Sequence, residues 1–226
     1  MTDPYYQDDF VTLWHGDCLE LADLWTCADV LVTDPPYGIG FRPRMGAAVG
    51  DMGSRDRAED RIAGDKTTAV RDEVLAAWGG ARPWLMFGSW RAPVHLAHTR
   101  LVWDKAFPGK GNWRSPWAPS LDDVYVGGDW GWSGPRDLSI VTCRQYVPGE
   151  SDRPDHPTPK PLALMSALIA KCPPGVVADP FAGSGSTGVA AKALGRKAVL
   201  VELEERYCEI AARRLAQDVL DFGDPA

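Results

Sequence analysis

The stretch Val-Val-Ala-Asp-Pro-Phe-Ala-Gly-Ser-Gly-Ser-Thr at residues 176–187 predicts a strand, a glycine-rich turn and the start of a helix. The apolar run stops at Asp179, and Gly183 and Gly185 follow in the turn. Because glycine has no side chain, a ligand can approach the backbone of such a turn closely, and the following helix start offers free N–H groups. Strands joined to helices by turns of this kind build open α/β sheets.

A second strand is predicted at residues 197–201, and it ends at Glu202, 23 positions after Asp179. A carboxylate at the carboxyl end of that strand can hold both ribose hydroxyls of a nucleoside. The turn lacks the Gly-Lys-Ser/Thr ending of a triphosphate-binding loop, which argues against ATP. The pattern therefore predicts a nucleoside site, and the alternative is a tight packing turn beside an ordinary surface glutamate.

The rest of the chain alternates short apolar strands with amphipathic helices, which is typical of an α/β sheet protein. Further strands are predicted at residues 30–33, 84–87 and 101–103, and helices at residues 67–78, 160–171 and 204 to about 217. Residues 38–66 are predicted to form a long loop, and residues 104–155 an irregular insertion rich in proline, glycine and tryptophan. We expect one domain over residues 1–226 that contains this insertion.

The composition is that of an ordinary globular chain, with 226 residues, 45% hydrophobic and 24% charged. No leader of basic and then apolar residues opens the sequence, and no apolar run is long enough to cross a bilayer, so we expect a cytoplasmic protein. The five cysteines contain no Cys-x-x-Cys pair, so we expect reduced thiols and no metal site.

Charge is distributed unevenly, although the net charge is -7. Residues 1–34 hold 0 basic and 8 acidic groups, whereas residues 35–120 hold 13 and 8. Residues 121–155 hold 3 and 7, and residues 156–226 hold 8 of each. The positive excess that begins after Asp34 suits a phosphate backbone, and a solvated mixed surface is the alternative.

The tetrapeptide Asp34-Pro35-Pro36-Tyr37 follows the predicted strand at residues 30–33. An exocyclic amino group is a poor nucleophile because its lone pair is delocalised into the ring. A carboxylate and a prolyl carbonyl that accept its two N–H bonds would orient that lone pair and gain strength as positive charge develops on nitrogen. Tyr37 offers a face on which a base can stack. The alternative is a Pro-Pro turn with a packing tyrosine.

The order of the motifs is more specific than any one of them. Along the chain they are His15-Gly16-Asp17-Cys18, Asp34-Pro35-Pro36-Tyr37, His156-Pro157-Thr158-Pro159-Lys160-Pro161, Asp179-Pro180-Phe181-Ala182-Gly183-Ser184-Gly185, and Glu202. This set resembles the amino-directed DNA methyltransferases that modify adenine N6 or cytosine N4. The tetrapeptide ahead of the glycine turn is similar to their permuted beta group. In the related ribosomal-RNA and protein-glutamine methyltransferases a similar tetrapeptide follows the turn, so the order argues against them.

The resemblance implies a Rossmann-like methyltransferase sheet with S-adenosylmethionine lying across the strand ends. It implies that Asp34, Pro35, Pro36 and Tyr37 are catalytic. The cofactor-binding residues that it implies are Asp17, Cys18, Thr158, Lys160, Asp179, Phe181, Gly183, Gly185, Thr187 and Glu202. Among them, the motif around Asp17 would lie near the cofactor adenine, the glycines beneath its amino acid part, and the last glutamate on its ribose. Thr158 and Lys160 would lie near the methionine end.

The resemblance also implies that residues 104–155 read the target on double-stranded DNA. Basic and aromatic residues interleave there, namely Lys105, Phe107, Lys110, Trp113, Arg114 and Trp117. Alternatively, the tryptophans form a small core of their own. The aspartate at the first position of the tetrapeptide resembles the adenine enzymes of this family, whereas the tetrapeptide of the cytosine N4 enzymes more often begins with serine.

We therefore expect adenine N6 methylation of a specific site, as in restriction-modification systems, by a monomer or homodimer. Cytosine N4 methylation and a catalytically inactive cofactor-binding regulatory protein are the alternatives. A carbon-5 cytosine methyltransferase is excluded because no cysteine follows a proline.

Overall fold

The computed structural model describes residues 3–40, 64–106, 116–117, 119–145, 154 and 158–217. Its strands are β1 (Tyr6–Gln7), β2 (Val11–His15), β3 (Val30–Thr33), β4 (Trp84–Gly88), β5 (Thr99–Asp104), β6 (Leu121–Gly127), β7 (Ile140–Thr142), β8 (Val177–Asp179) and β9 (Ala198–Glu202). Its helices are α1 (Ala22–Trp25), α2 (Ala69–Trp78), α3 (Leu162–Ile169), α4 (Ser186–Ala193) and α5 (Glu205–Ala216). Within these described ranges, no helix has the length and apolar character needed to span a membrane.

The nine strands form one sheet in the order β1-β2-β9-β8-β3-β4-β6-β5-β7. The run from β2 to β4 is parallel throughout, so five carboxyl ends meet at one edge of the sheet. β6 lies antiparallel between β4 and β5. This is the open α/β sheet that the sequence predicts, and its parallel part places a ligand crevice at the carboxyl edge.

Helices cover both faces of the parallel strands. In β3, Val30 and Val32 face the cluster that holds α3, α4 and α5, whereas Leu31 faces the cluster that holds α1 and α2. All four residues of β3 are buried, which explains why the run is apolar and β-branched without polar alternation. A strand covered on both faces holds the residue that follows it firmly in place.

The predicted helix after Glu202 is confirmed as α5. Tyr207, Ala211 and Leu215 are buried at helical spacing, and Glu205 and Glu209 face outward. Its buried side packs on β2 and β9. The strands predicted at residues 30–33, 84–87 and 197–201 are also confirmed, each within one residue at either end.

The expectation of irregular structure throughout residues 104–155 is wrong at β6 and β7. β6 is buried from Asp123 onward and lies between β4 and β5 in the sheet. The second and third residues of the strand are aspartates that pair with cations in or directly after β5. Arg100 Nη2 lies 2.7 Å from Asp123, and Lys105 Nζ lies 2.9 Å from Asp122. Acidic residues at a strand start give a weak sequence signal because only the folded sheet supplies their partners.

Candidate active site

The carboxyl ends of the parallel strands open into one cavity of about 740 Å³, a size typical of ligand sites. The segments that line it include Gly16–Cys18 after β2, Asp34–Tyr37 after β3, Ser89–Arg91 after β4, Asp179–Ser184 after β8 and Glu202–Glu204 after β9. Thr33, which directly precedes the tetrapeptide, is hydrogen bonded to Asp179, 146 residues further along the chain. The tetrapeptide and the glycine-rich turn are therefore neighbours in space.

Every residue predicted for the site lines this cavity except Gly185. Gly185 has a left-handed φ of 78°, and a Cβ there would lie 2.9 Å from the Cβ of Ala211 in α5. Its lack of a side chain is explained by the close approach of α5 to the start of α4. His156 and Pro157 of the third motif lie outside the described residues.

The Asp34 carboxylate is held by two side chains. The Tyr37 hydroxyl donates to Oδ1 at 2.8 Å, and the Lys160 ammonium donates to Oδ2. Burial and the neighbouring Asp34 carboxylate raise the pKa of Tyr37 well above 10, so this tyrosine is a hydroxyl donor at neutral pH. Asp34 itself is half-buried, and the following Pro35 is buried. The tetrapeptide thus presents a partly exposed carboxylate of fixed orientation.

Lys160, which the sequence places near the methionine end of the cofactor, forms an ion pair with the Asp34 carboxylate. Its side chain is 8% exposed, its Nζ is 3.5 Å from the Tyr37 hydroxyl, and it lies 4.6 Å from the centroid of the Phe87 ring. The ion pair joins positions 126 residues apart. The sequence identifies Lys160 as part of the motif at residues 156–161, but only the fold shows that this lysine contacts Asp34.

Asp179 is buried, 2% exposed, and is surrounded by donors from the chain. Its Oδ1 accepts from Thr33 Oγ1 at 2.6 Å and from the Phe181 N–H at 3.0 Å, and its Oδ2 accepts from Thr187 Oγ1 at 2.5 Å. Burial raises the pKa of Asp179 to about 6, while these hydrogen bonds act in the opposite direction. Since Thr33 immediately precedes Asp34, this carboxylate ties the tetrapeptide to the glycine turn.

Glu202 supports the glycine turn with both carboxylate oxygens. Oε2 accepts from the Gly183 N–H at 2.7 Å, and Oε1 accepts from the Glu204 N–H at 2.8 Å. The side chain belongs to a residue that is 8% exposed, and burial raises its pKa. A carboxylate has about four acceptor positions, so two hydrogen bonds leave capacity for hydroxyl groups of a ligand.

The motif after β2 lies beside Glu202 because β2 and β9 are parallel, with His15 opposite Glu202. Asp17 Oδ1 accepts from the Leu19 N–H at 2.8 Å, and the Cys18 carbonyl accepts from the Trp25 indole at 2.8 Å. Burial raises the pKa of Cys18 to about 12. Its thiol is therefore an apolar contact surface at neutral pH and not a nucleophile.

Asp65 is a site residue that sequence reasoning missed. It is 4% exposed, its Oδ1 accepts from the Gly38 N–H at 2.7 Å, and its carbonyl accepts from the Gly40 N–H at 2.7 Å. These bonds hold the backbone directly after Tyr37. Asp65 lies at the end of the predicted loop, where no pattern distinguished it from the other aspartates.

The chain is similar to known proteins over most of its length. A family model described as DNA methylase, of the N6/N4 type, matches residues 95–213, about half of the chain. YubD of Escherichia coli (strain K12), whose name describes a methylase, is 30% identical over 89% of this chain and 88% of that protein. The type II methyltransferase M.HinfI of Haemophilus influenzae is 39% identical over 35% of this chain and 23% of that protein.

Solved structures show the same fold at low sequence identity. The M1.HpyAVI–SAM complex is 22% identical, with a TM-score of 0.67 over 92% of this chain and 100% of that chain. The PvuII DNA methyltransferase, described as cytosine-N4-specific, is 14% identical, with a TM-score of 0.64 over 97% of this chain and 91% of that chain.

Proposed function

We propose that this chain, which belongs to the N6/N4 DNA methylase family, methylates adenine N6 in double-stranded DNA. Membership makes the protein an S-adenosylmethionine-dependent DNA methyltransferase. The choice of adenine and the role of each site residue are our proposals. The observation that most supports the roles of the site residues is that the Asp34 carboxylate and the glycine turn beside Glu202 open into the same cavity.

The donor set suits S-adenosylmethionine. Glu202 retains acceptor capacity for ribose hydroxyls, and the Gly183 position leaves the backbone of the turn open to the amino acid part. Phe181 and Cys18 supply apolar surface to the same cavity. When bound, the cofactor supplies an electrophilic methyl group on a sulfonium. We propose that Asp179 acts through the turn and Thr33, because the chain already supplies three donors to its carboxylate.

The tetrapeptide would hold the target amino group. One N–H of that group would donate to Asp34 and the other to the Pro35 carbonyl, which directs the nitrogen lone pair toward the methyl group. As the bond from nitrogen to the methyl carbon forms and the carbon–sulfur bond of the cofactor breaks, positive charge would develop on nitrogen beside the Asp34 carboxylate, where it is stabilised more strongly than in the ground state. The nitrogen would then lose one proton, and the Asp34 carboxylate is placed to accept it and pass it to solvent. Lys160 now donates to Asp34 Oδ2, so the incoming amino group shares or replaces this contact.

The target base has to leave the DNA helix, since its amino group cannot reach Asp34 while stacked. The half-buried Tyr37, with its hydroxyl fixed on Asp34, offers a ring on which the extruded base would stack. We choose adenine over cytosine as the target because the tetrapeptide begins with an aspartate. Both bases carry an amino group next to a ring nitrogen, so the preference rests on resemblance to the adenine enzymes.

The test is to incubate the protein with unmethylated bacterial DNA and S-adenosylmethionine carrying a labelled methyl group, and to identify the modified nucleoside by mass spectrometry. We expect labelled N6-methyladenine, and none with Asp34→Ala. Labelled N4-methylcytosine would refute the choice of adenine and leave the methyltransferase assignment intact. Cofactor binding by the wild type without label in any base would favour the inactive regulatory alternative.

A further inference from the structure

A short turn at the carboxyl end of β4 takes no part in the proposed chemistry. Ser89 and Ala92 form an isolated antiparallel bridge, and the Ala92 N–H donates to the Ser89 carbonyl at 2.9 Å. The two residues at the tip, Trp90 and Arg91, are exposed and line the cavity. Trp90 is 71% exposed, so a large aromatic ring stands in water beside the entrance to the proposed base site.

The base of this turn is fixed by buried groups. Arg71, which is 4% exposed, donates from Nη1 to the Ala92 carbonyl at 2.7 Å, and the Tyr125 hydroxyl donates to the Ser89 carbonyl at 3.3 Å. The Arg91 N–H also donates to Ser89 Oγ at 3.3 Å. The tip therefore projects from a supported backbone, as expected of a residue that has to press against a partner.

The chemistry of the tip suits nucleic acid. The Arg91 guanidinium carbon lies 5.6 Å from the centroid of the Trp90 ring, so a cation and an aromatic face are presented together. Aromatic rings stack on bases of any sequence, and arginine binds phosphate. A duplex whose base enters the cavity has to bring its neighbouring bases and backbone to this rim.

We propose that Trp90 is a wedge that enters the helix beside the extruded base and that Arg91 binds the adjacent phosphate. This inference rests on the proposed function, because it requires duplex DNA at the cavity entrance. Extruding a base costs pairing and stacking, and the cost is smallest when the base is already unpaired. An inserted aromatic ring would stack on the flanking bases in place of the extruded one. Trp90 should therefore matter most when the target base is paired.

The test compares wild type, Trp90→Ala, Trp90→Phe and the control Leu96→Ala on two duplexes. Leu96 is exposed by 64% and does not line the cavity. Both duplexes carry the methylation site mapped with the wild type, and in one of them the target base is mismatched. We expect Trp90→Ala to lower kcat/KM about tenfold on the paired duplex, the order of one base–aromatic contact, and less than about threefold on the mismatched one. Trp90→Phe and Leu96→Ala should stay near wild type.

The arginine has a separate readout. Arg91→Ala should weaken binding of both duplexes equally and reduce the salt dependence of log K by about one ion. Equal losses of kcat/KM for Trp90→Ala on paired and mismatched DNA would overturn the wedge while leaving the methyltransferase assignment intact. A changed oligomeric state of Trp90→Ala in sedimentation would assign the ring to a protein interface and would also overturn it. A wild type inactive on all DNA would refute the proposed function, and the wedge with it.

Discussion

Replacement of Asp179 by asparagine should change how stability depends on pH. Asparagine has the same shape, and its Oδ1 can keep the bonds from Thr33 and the Phe181 N–H. The Thr187 hydroxyl, which now donates to Oδ2, can rotate and accept from the new amide. The main change is therefore the loss of a group whose pKa is raised from 3.8 to about 6 by burial.

The sign follows from proton linkage. Between pH 3.8 and about 6 the folded protein keeps the Asp179 proton that the unfolded chain has released, so the stability that this proton contributes is lost as pH rises. The pKa difference corresponds to about 3 kcal/mol in total, and about 2 kcal/mol of it falls between pH 4.5 and 7.5. Asp179→Asn should therefore gain about 2 kcal/mol relative to wild type over that interval.

Urea denaturation of both proteins at intervals of half a pH unit measures this difference, because carboxylates that do not interact with Asp179 contribute equally to both proteins. A difference that stays flat from pH 4.5 to 7.5 would show that the pKa of Asp179 is the same in the folded and unfolded states. A difference of opposite sign would show that the three hydrogen bonds outweigh burial. Either result would refute the reasoning.

Asp34→Ala should abolish methylation and leave the dissociation constant for S-adenosylmethionine, measured by calorimetry, unchanged; lost cofactor affinity would contradict its assignment to the target base. Glu202→Ala should raise that constant about tenfold through one lost charged contact, and an unchanged constant would remove Glu202 from the cofactor site. A duplex with 2-aminopurine at the target should brighten on binding to Tyr37→Ala, because the ring that would quench the extruded base is absent; no change with this variant or the wild type would count against extrusion. In a double-mutant cycle, Asp34→Asn and Lys160→Met should show a coupling energy of about 1 kcal/mol in urea denaturation, since the two groups form an ion pair that is largely shielded from water; additive effects would mean that the pair contributes nothing.

Sequence reasoning succeeded where local pattern and buried strands coincide. The apolar run at β3 and the strand, turn and helix from β8 to α4 are set by residues close in sequence. The carboxyl ends of parallel strands share one edge, so the sequence alone predicts that Asp34 and Glu202 lie in one crevice. The two do line one cavity.

Contacts between segments that are distant along the chain could not be predicted from the sequence. The pairing of Lys160 with Asp34 and the support of Gly38 by Asp65 depend on how separate segments meet, and no local pattern encodes either of them. β6 was missed for the same reason, because its opening aspartates are neutralised only by Arg100 and Lys105 after folding. Gly183 and Gly185 are both predicted to bind the ligand because glycines of a turn look alike in sequence, whereas in the structure Gly183 lines the cavity and Gly185 packs against α5.

The pairing of β2 with β9 has a consequence for how the protein folds while it is synthesised on the ribosome. Val11 lies opposite Ala198, and Val30 lies opposite Val177, so two strands made early have their partners near the other end of the described chain. β1 and β4, which cover the other edges of these two strands, are made much sooner. At about 5–20 residues per second, the edges that pair with β9 and β8 wait on the order of ten seconds before those partners emerge. During that interval one edge of each strand is open to other nascent chains, and the stretch with Asp17 has no Glu202 beside it. The cavity can therefore be completed only after β8 and β9 have been made, because Asp179 and Glu202 lie on those strands.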